Sequence, residues 1–586
     1  MKIQSVNSVP FGLGVQNKKS PNNEAILDVK RHDLKPINFE MARALAATRG
    51  VNFRGKVDNP SEAIRQTLGG QQLTVTSNRG FYNYAGKAED GTEKPLQQSP
   101  GGLAMAMDGA LIPAKGIWVS WDGANKVVSE QDRTYDVNTG YKVAHFSMDP
   151  DKMNTFYGKV SNCLLWPTSH DLPQYASEVS DDEWNTYKDV NKTFAQKTVQ
   201  QLDKTGKGNV IWVQDYQLMM TPGFIRDEIN KKDEFNSKDK KASLGYFHHI
   251  PFPEPKVFLS GLGKERAAEI VKSLLKSDMI GFHIPMYVNN FAKTVNVLKS
   301  EGLLPEVKGI KDEGKSKIIS YKDEATGVER KVKVQDFPIS IDYEDCKKIS
   351  QKPETDKAME SIQEQIKSKN PNHEYLVFGI DRSDYTKGIP ERIEAINKFL
   401  ASTPKEDREK VTFTLAIAPS RGSIPQFARL HEEVMEAVEN VNKKYGNENY
   451  TPIIHLGNLS PAEKAGYMRL ANSMIVNPVA DGMNLVAKEM VAHKLPNDPP
   501  CQLVLTRTAG IAHDPDFAKN SLVIDDPKDT DKIAGLIGQA INNIKNDPEA
   551  VEKQTKELNE SVKHNNIGKW TVDYLKDLKS FVGNDK

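Results

Sequence analysis

The sequence predicts an α/β chain built from two doubly wound domains that follow one another and face each other across a cleft. Three observations carry this reading. Short β-branched runs alternate with amphipathic segments from Leu73 onward, a strand-turn-strand stretch interrupts them near residues 317–341, and the alternation then restarts. At one domain per roughly 100 to 200 residues, a chain of this length also exceeds a single unit.

Taken in order, residues 1–70 mix Asn, Lys, Pro and Gly, with one helical stretch at 38–48, and read as a disordered extension. The runs LTVTSN, GIWVSW, NVIWVQDY, SLGYFHHI and SDMIGFHI then read as strands of a parallel sheet, with WNTYKDVNKTFAQKTVQQL and AAEIVKSLLK as covering helices. Residues 317–341 predict two strands joined by a turn at 325–327, and Pro338 marks a boundary. EYLVFGI, VTFTLAIA, TPIIHLG, SMIVNP, CQLVLT and SLVID supply the second sheet. The expected division is 71–340 for the first Rossmann-like domain, 341–565 for the second, and a C-terminal helix at 566–586 packing back on the first.

Composition excludes several function classes. Lys plus Arg and Asp plus Glu each number 79, so the net charge of +0 gives no field for general nucleic-acid binding. Local cation clusters could still hold a compact phosphorylated ligand. Cys163, Cys346 and Cys501 lie far apart without metal-type spacing, which points to a reducing cytoplasm and to neither a disulfide framework nor a zinc site. No apolar run reaches the roughly 18 residues of a membrane span, and no export signal is read.

Polar clusters fall at the predicted carboxyl ends of strands. Arg382 and Lys387 occupy a strand-to-helix loop, where two cations at a helix N-terminus suit a diphosphate. Pairing of Arg382 with Asp381 or Asp384 is an equal alternative. At a second junction, Asp481 and Gly482 form the turn, the N–H groups of Met483, Asn484 and Leu485 can donate to oxygen, and Glu489, two turns into the helix, can accept two sugar hydroxyls. In the first half Arg79, Asp215 and the pair His248 and His249 sit at such ends, and Gly102 precedes a helix. Adjacent strand residues face opposite sides, so at most one of the two histidines should point into a cleft.

Together these motifs resemble trehalose-6-phosphate synthases, a retaining glycosyltransferase family with the two-Rossmann GT-B fold. The first half carries S-N-R at 77–79, G-G-L at 101–103, S-N-C-L-L-W-P at 161–167, W-V-Q-D-Y at 212–216 and F-H-H-I-P-F-P at 247–253. The second carries D-R-S-D-Y-T-K-G at 381–388, A-P-S-R at 418–421 and D-G-M-N-L-V-A-K-E at 481–489.

The resemblance implies Arg382 and Lys387 on the donor diphosphate and Glu489 on the ribose. It implies Gly102 and the backbone from Asp481 through Gly482, Met483 and Asn484 to Leu485 around the donor phosphates and glucose. His249 and Asp215 are expected around the transferred glucose. Arg79, Tyr157, Trp166 and Arg421, with Asp215, are expected around glucose 6-phosphate. The implied reaction takes UDP-glucose or another nucleoside diphosphate glucose, needs no cofactor or metal, and uses no protein nucleophile. Its product would pass to a separate phosphatase, since few residues follow the matched region; homo-oligomerisation stays open. Gln214 and Gln217 depart from histidines common in the family, Ala480 from an arginine, and Arg507 and Thr508 from an acidic or amide residue and phenylalanine. Two alternatives are a glucosylglycerol-phosphate synthase using glycerol 3-phosphate and an inactive sugar-nucleotide-binding regulatory protein.

Overall fold

The structure, a computed structural model, describes residues 59–86, 94, 96–98, 102–124, 132–137, 140–232, 235, 242–422 and 424–584. All belong to one compact unit, Lys56–Lys586.

The first sheet contains β1 (Gln72–Arg79), β2 (Ile117–Trp121), β3 (Arg133–Asp136), β4 (Lys142–Phe146), β5 (Asn209–Gln214), β6 (Ala242–Phe247), β7 (Met279–Phe282), β8 (Val307–Glu313), β9 (Ser316–Lys322) and β10 (Glu329–Asp336). Their spatial order is β8-β9-β10-β7-β6-β5-β1-β2-β4-β3. The strands from β10 to β4 run parallel, whereas β3, β9 and β8 pair antiparallel at the two edges. Strands β5 and β6 are buried along their whole length, as parallel strands covered on both faces must be. The order reverses on either side of β1, which puts the ends of β1 and β5 at a switch point where ligands bind.

The second sheet contains β11 (Tyr375–Arg382), β12 (Val411–Ala418), β13 (Ile453–Leu456), β14 (Ser473–Val476), β15 (Gln502–Thr506) and β16 (Leu522–Ile524). All are parallel, in the order β13-β12-β11-β14-β15-β16. Counted from β11 this is the Rossmann order 3-2-1-4-5-6, whose switch point lies between β11 and β14. Arg382 ends β11, Lys387 lies in the loop after it, and the loop after β14 carries Asp481 to Asn484.

Two boundaries differ from the sequence reading. Part of the expected extension is a helix, Pro60–Leu68, capped by the Asn59 side chain on the Glu62 N–H. It buries Ile64 and Leu68, and Lys579 Nζ donates to the Leu68 carbonyl at 2.9 Å. The described structure therefore extends ahead of residue 70, while the helix expected at 38–48 lies outside the described residues. The hairpin near 317–341 is present as β9 and β10, with the unforeseen β8 added to its outer edge.

The last helix, Ile567–Asn584, packs on the first sheet although it follows the second in sequence. Trp570 and Tyr574 stack on Trp212 with ring centroids 4.9 and 4.3 Å away, and the Tyr574 hydroxyl donates to the Tyr246 carbonyl. Gly245 is required there, because a Cβ would overlap that hydroxyl.

Candidate active site

Arg79 ends β1 where the pairing register with β2 breaks between Thr76 and Arg79, and such a bulge re-aims a side chain. Its guanidinium lies over Trp121 at 5.0 Å and Tyr157 at 5.6 Å from the ring centroids. Tyr157 stands on a π-helical stretch, Asn154–Leu165, whose wider turns set side chains off the usual 3.6-residue stripe.

Arg421 follows β12 and approaches from the second domain. It donates to Asp384 at 2.5 Å and lies over Trp166 at 4.3 Å and Phe427 at 4.9 Å. Burial alone would raise the Asp384 carboxyl, but Arg421 and Lys387 hold it below the ordinary carboxylate range. Arg79, Trp121, Tyr157, Arg382 and Arg421 line one cavity of about 440 Å³ between the domains. Trp166 is buried behind Arg421 and outside that lining, so it supports the arginine from beneath.

The alternative pairing of Arg382 does not occur. Asp381 is taken by the buried Arg392 at 2.6 Å, and Asp384 by Arg421. Arg392 also donates to Asn477 Oδ1 at 2.7 Å, tying the end of β11 to the loop after β14. Arg382 is left exposed, lining the cavity with no acidic partner among the described residues. Lys387 instead reaches Asp481. Burial would lower the Lys387 ammonium, but Asp481, Asp381 and Asp384 raise it above its ordinary value.

At the second junction the helix starts at Leu485, capped by Asn484 on the Val486 N–H. Glu489 is therefore one turn in, not two, and one of its oxygens meets Lys464 Nζ at 3.2 Å. The N–H groups of Met483, Asn484 and Leu485 find no acceptor within the described chain and are available to an anion. Gly482 packs against the His249 carbonyl of the first domain so closely that a Cβ would overlap it. The Tyr287 hydroxyl donates to the Asp481 carbonyl at 3.3 Å, a hydrogen bond across the cleft. Gly102 is the first residue of helix Gly102–Ala114, and the preceding Gly101 lies outside the described residues.

Asp215 follows β5 with φ +74° and ψ 167°, a region that favours glycine. Among the described residues only four non-glycine residues have positive φ, and Asp215 and Arg421 are two of them. Backbone strain thus gathers at expected site residues. Asp215 Oδ1 accepts the N–H groups of Tyr216 at 2.9 Å and His249 at 3.3 Å. Burial still pushes its carboxyl up to about 6. His248 is buried, with Nδ1 against the Tyr246 hydroxyl at 2.9 Å. His249 is the one partly exposed, and its Nε2 meets Gln214 Oε1 at 2.8 Å.

Two neighbours escaped the sequence reading. His170 is buried four residues after Trp166, and its Nδ1 donates to the Trp166 carbonyl at 2.7 Å. Burial lowers it to about 4, and Asp384, Lys387 and Asp481 all act on its charge. Tyr175 of the first domain stacks on Tyr385 of the Arg382 loop, with centroids 4.1 Å apart and planes 7° from parallel. Of the departures, Arg507 turns away to donate to Asp525 and to the Ala512 carbonyl, and Thr508 donates to the Pro478 carbonyl.

Comparison with known proteins places these motifs in a wider set. Residues 71–580 match the sequence model of glycosyltransferase family 20. The chain is 29% identical over 523 residues to a trehalose-6-phosphate synthase of Mycolicibacterium smegmatis, covering 88% of this chain and 94% of that one. It is 30% identical over 523 residues to a bifunctional trehalose-6-phosphate synthase/phosphatase of Thermoproteus tenax, covering 87% of this chain and 64% of the relative. Among solved structures, an Escherichia coli protein bound with UDP-2-fluoro glucose superposes with a TM-score of 0.71 at 24% identity, over 87% of this chain and 99% of that one. A Burkholderia xenovorans trehalose-phosphate synthase in complex with glucose-6-phosphate gives 0.72 at 24%, over 87% and 100%. These superpositions establish the two-domain GT-B fold.

Proposed function

Because the chain belongs to glycosyltransferase family 20, we propose that it transfers glucose from UDP-glucose, or another nucleoside diphosphate glucose, to the anomeric hydroxyl of glucose 6-phosphate. The product is α,α-trehalose 6-phosphate, formed with retention. The observation that supports this reading best is the single cavity in which Arg79 and Tyr157 of one domain meet Arg382 and Arg421 of the other. It offers cations to two separate phosphates and an aromatic wall to a sugar.

The bond from glucose C1 to the diphosphate oxygen breaks, and C1 bonds to the acceptor oxygen on the same face. The acceptor proton passes to the departing phosphate oxygen. Charge developing on that diphosphate is met by Arg382, Lys387 and the free N–H groups from Met483 to Leu485, groups held in place before reaction. Asp215 and His249, at the ends of β5 and β6, serve the transferred glucose. Glu489 keeps an oxygen for the ribose. Arg79 and Arg421 hold the acceptor phosphate, and binding it from both domains favours the closed cleft. Three free, buried cysteines accord with a cytoplasmic setting. Dephosphorylation of the product by a separate phosphatase is part of the same proposal.

The test is a matrix of UDP-, ADP- and GDP-glucose against glucose 6-phosphate and glycerol 3-phosphate. The reading expects trehalose 6-phosphate from glucose 6-phosphate with at least one donor. A glucosylglycerol phosphate as the main product would replace the acceptor, and donor binding without any product would make the protein a regulator.

A further inference from the structure

Gln214 is fully buried at the end of β5, and its carboxamide makes one hydrogen bond, with Oε1 on His249 Nε2 at 2.8 Å. Its Nε2 is buried without a partner. A buried amide left half satisfied costs stability, so a carboxamide here calls for a reason other than packing. The His249 ring is only partly buried, and its Nδ1 meets no protein group among the described residues.

We infer that Gln214 is a positioning residue for glucosyl transfer: its carbonyl accepts the His249 Nε2–H and thereby leaves His249 Nδ1 as an acceptor for a hydroxyl of the transferred sugar. The inference rests on the reading that His249 faces that sugar. The chemistry follows from the two-nitrogen logic of a neutral imidazole, in which the bond at one nitrogen fixes the role of the other. An amide carbonyl accepts without carrying charge, so it fixes the tautomer without drawing a second proton onto the ring. The surroundings agree. The His283 ring lies 5.3 Å from that of His249, both His283 and the adjacent buried His248 are lowered to about 3, first by burial, and Asp215 spends Oδ1 on the His249 backbone N–H. His283 Nε2 is spent on the His249 carbonyl at 3.1 Å. Among the described residues no carboxylate reaches the imidazole nitrogens.

The test compares the full-length wild type with Gln214→Glu, Gln214→Leu and Gln214→His, reading kcat and KM for both substrates from pH 5.5 to 8.5, with side-chain nitrogen NMR of His249. In the wild type the expected tautomer carries its proton on Nε2. Gln214→Glu places a carboxylate against that proton and stabilises the imidazolium, so Nδ1 becomes a donor and kcat falls about tenfold between pH 8 and pH 6 beyond the wild-type decline. Gln214→Leu lowers kcat about tenfold at every pH with little change in either KM, and Gln214→His, which restores an acceptor nitrogen, recovers activity to within about threefold. A wild-type Nδ1–H tautomer, or a Gln214→Glu profile that overlays the wild type, overturns the inference. His249→Ala separates this from the site reading: if it keeps turnover within about threefold, His249 is not at the sugar and the underlying reading fails, whatever the tautomer.

Discussion

Arg421 of the second domain lies across the indole of Trp166 of the first, with its guanidinium carbon 4.3 Å from the ring centroid, while donating to Asp384 at 2.5 Å. Arg79, on the opposite wall, stacks on Trp121 and Tyr157 and is exposed. The two arginines therefore differ in what their removal costs. Arg79→Ala is expected to raise the KM for glucose 6-phosphate about ten- to hundredfold without changing thermal stability, since it removes a charge-assisted contact. Arg421→Ala should raise that KM similarly and also destabilise the fold by about 3 kcal/mol, because Asp384 is left buried without its partner. Donor KM should change far less in both. Substrate kinetics with denaturant unfolding check this, and equal stability losses in the two variants would contradict it.

Arg382 ends β11 and Lys387 lies in the loop after it, and their environments differ. Arg382→Ala is expected to reduce kcat at least about a hundredfold with an unchanged melting temperature, as loss of one preorganised donor to a leaving group does. Lys387→Ala should add a stability loss, because Asp481 loses its cation. Near-normal turnover in both variants, with native circular dichroism, would place the diphosphate elsewhere.

Much of this arrangement can be read from the sequence, and the rest is hidden for identifiable reasons. The buried parallel strands announce themselves because both faces are covered: NVIWVQ holds an unbroken apolar run from Val210 to Val213, and VTFTLAIA is apolar except for Thr412 and Thr414. Strand β8, VKGIKDE, does not, because an edge strand facing solvent is polar and lacks that pattern. The helix at Pro60–Leu68 did have a signal: Asn59 as cap, Pro60 in the first turn and Glu62 three residues after the cap. It was submerged in a polar stretch. The cations of the Arg382 loop are legible, but their partners are not. Arg392 claims Asp381 from the following helix, a choice set by tertiary packing. His170 lies one helical turn beyond Trp166, a spacing that places both on one face.

Asp215 titrates where activity can report it. Its carboxyl, ordinarily at 3.8, is pushed up to about 6 by burial, so turnover should fall as pH drops below about 6. Asp215→Asn should lose that limb and most of its kcat. The sign for stability is opposite. The folded state holds the Asp215 proton more tightly than the unfolded chain, so the penalty is absent below about pH 4, grows through the interval and is complete above about 6. Asp215→Asn should therefore stabilise the protein at pH 7.5 by at most about 3 kcal/mol and match the wild type near pH 4. Denaturant unfolding at the two pH values checks this, and an equal difference at both would contradict it.

The helix Pro60–Leu68 makes a specific demand on truncation. A chain starting at Asn59 should unfold at a higher temperature than one starting at Gln71, because only the first retains buried Ile64 and Leu68 and the acceptor for Lys579. Burying two such aliphatic side chains contributes roughly 3 to 6 kcal/mol before entropy is counted. Indistinguishable melting temperatures would show that the helix is dispensable to the core.

The central claim is that Arg79, Tyr157 and Arg421 select a phosphorylated hexose. It is tested most directly by offering the wild-type protein glucose 6-phosphate and glycerol 3-phosphate together, at equal concentration with UDP-glucose, and identifying the products by NMR. Selection of the hexose by these residues gives α,α-trehalose 6-phosphate as the dominant product, with the α configuration of the donor retained. A glucosylglycerol phosphate as the dominant product, with glucose 6-phosphate left unused, would contradict it.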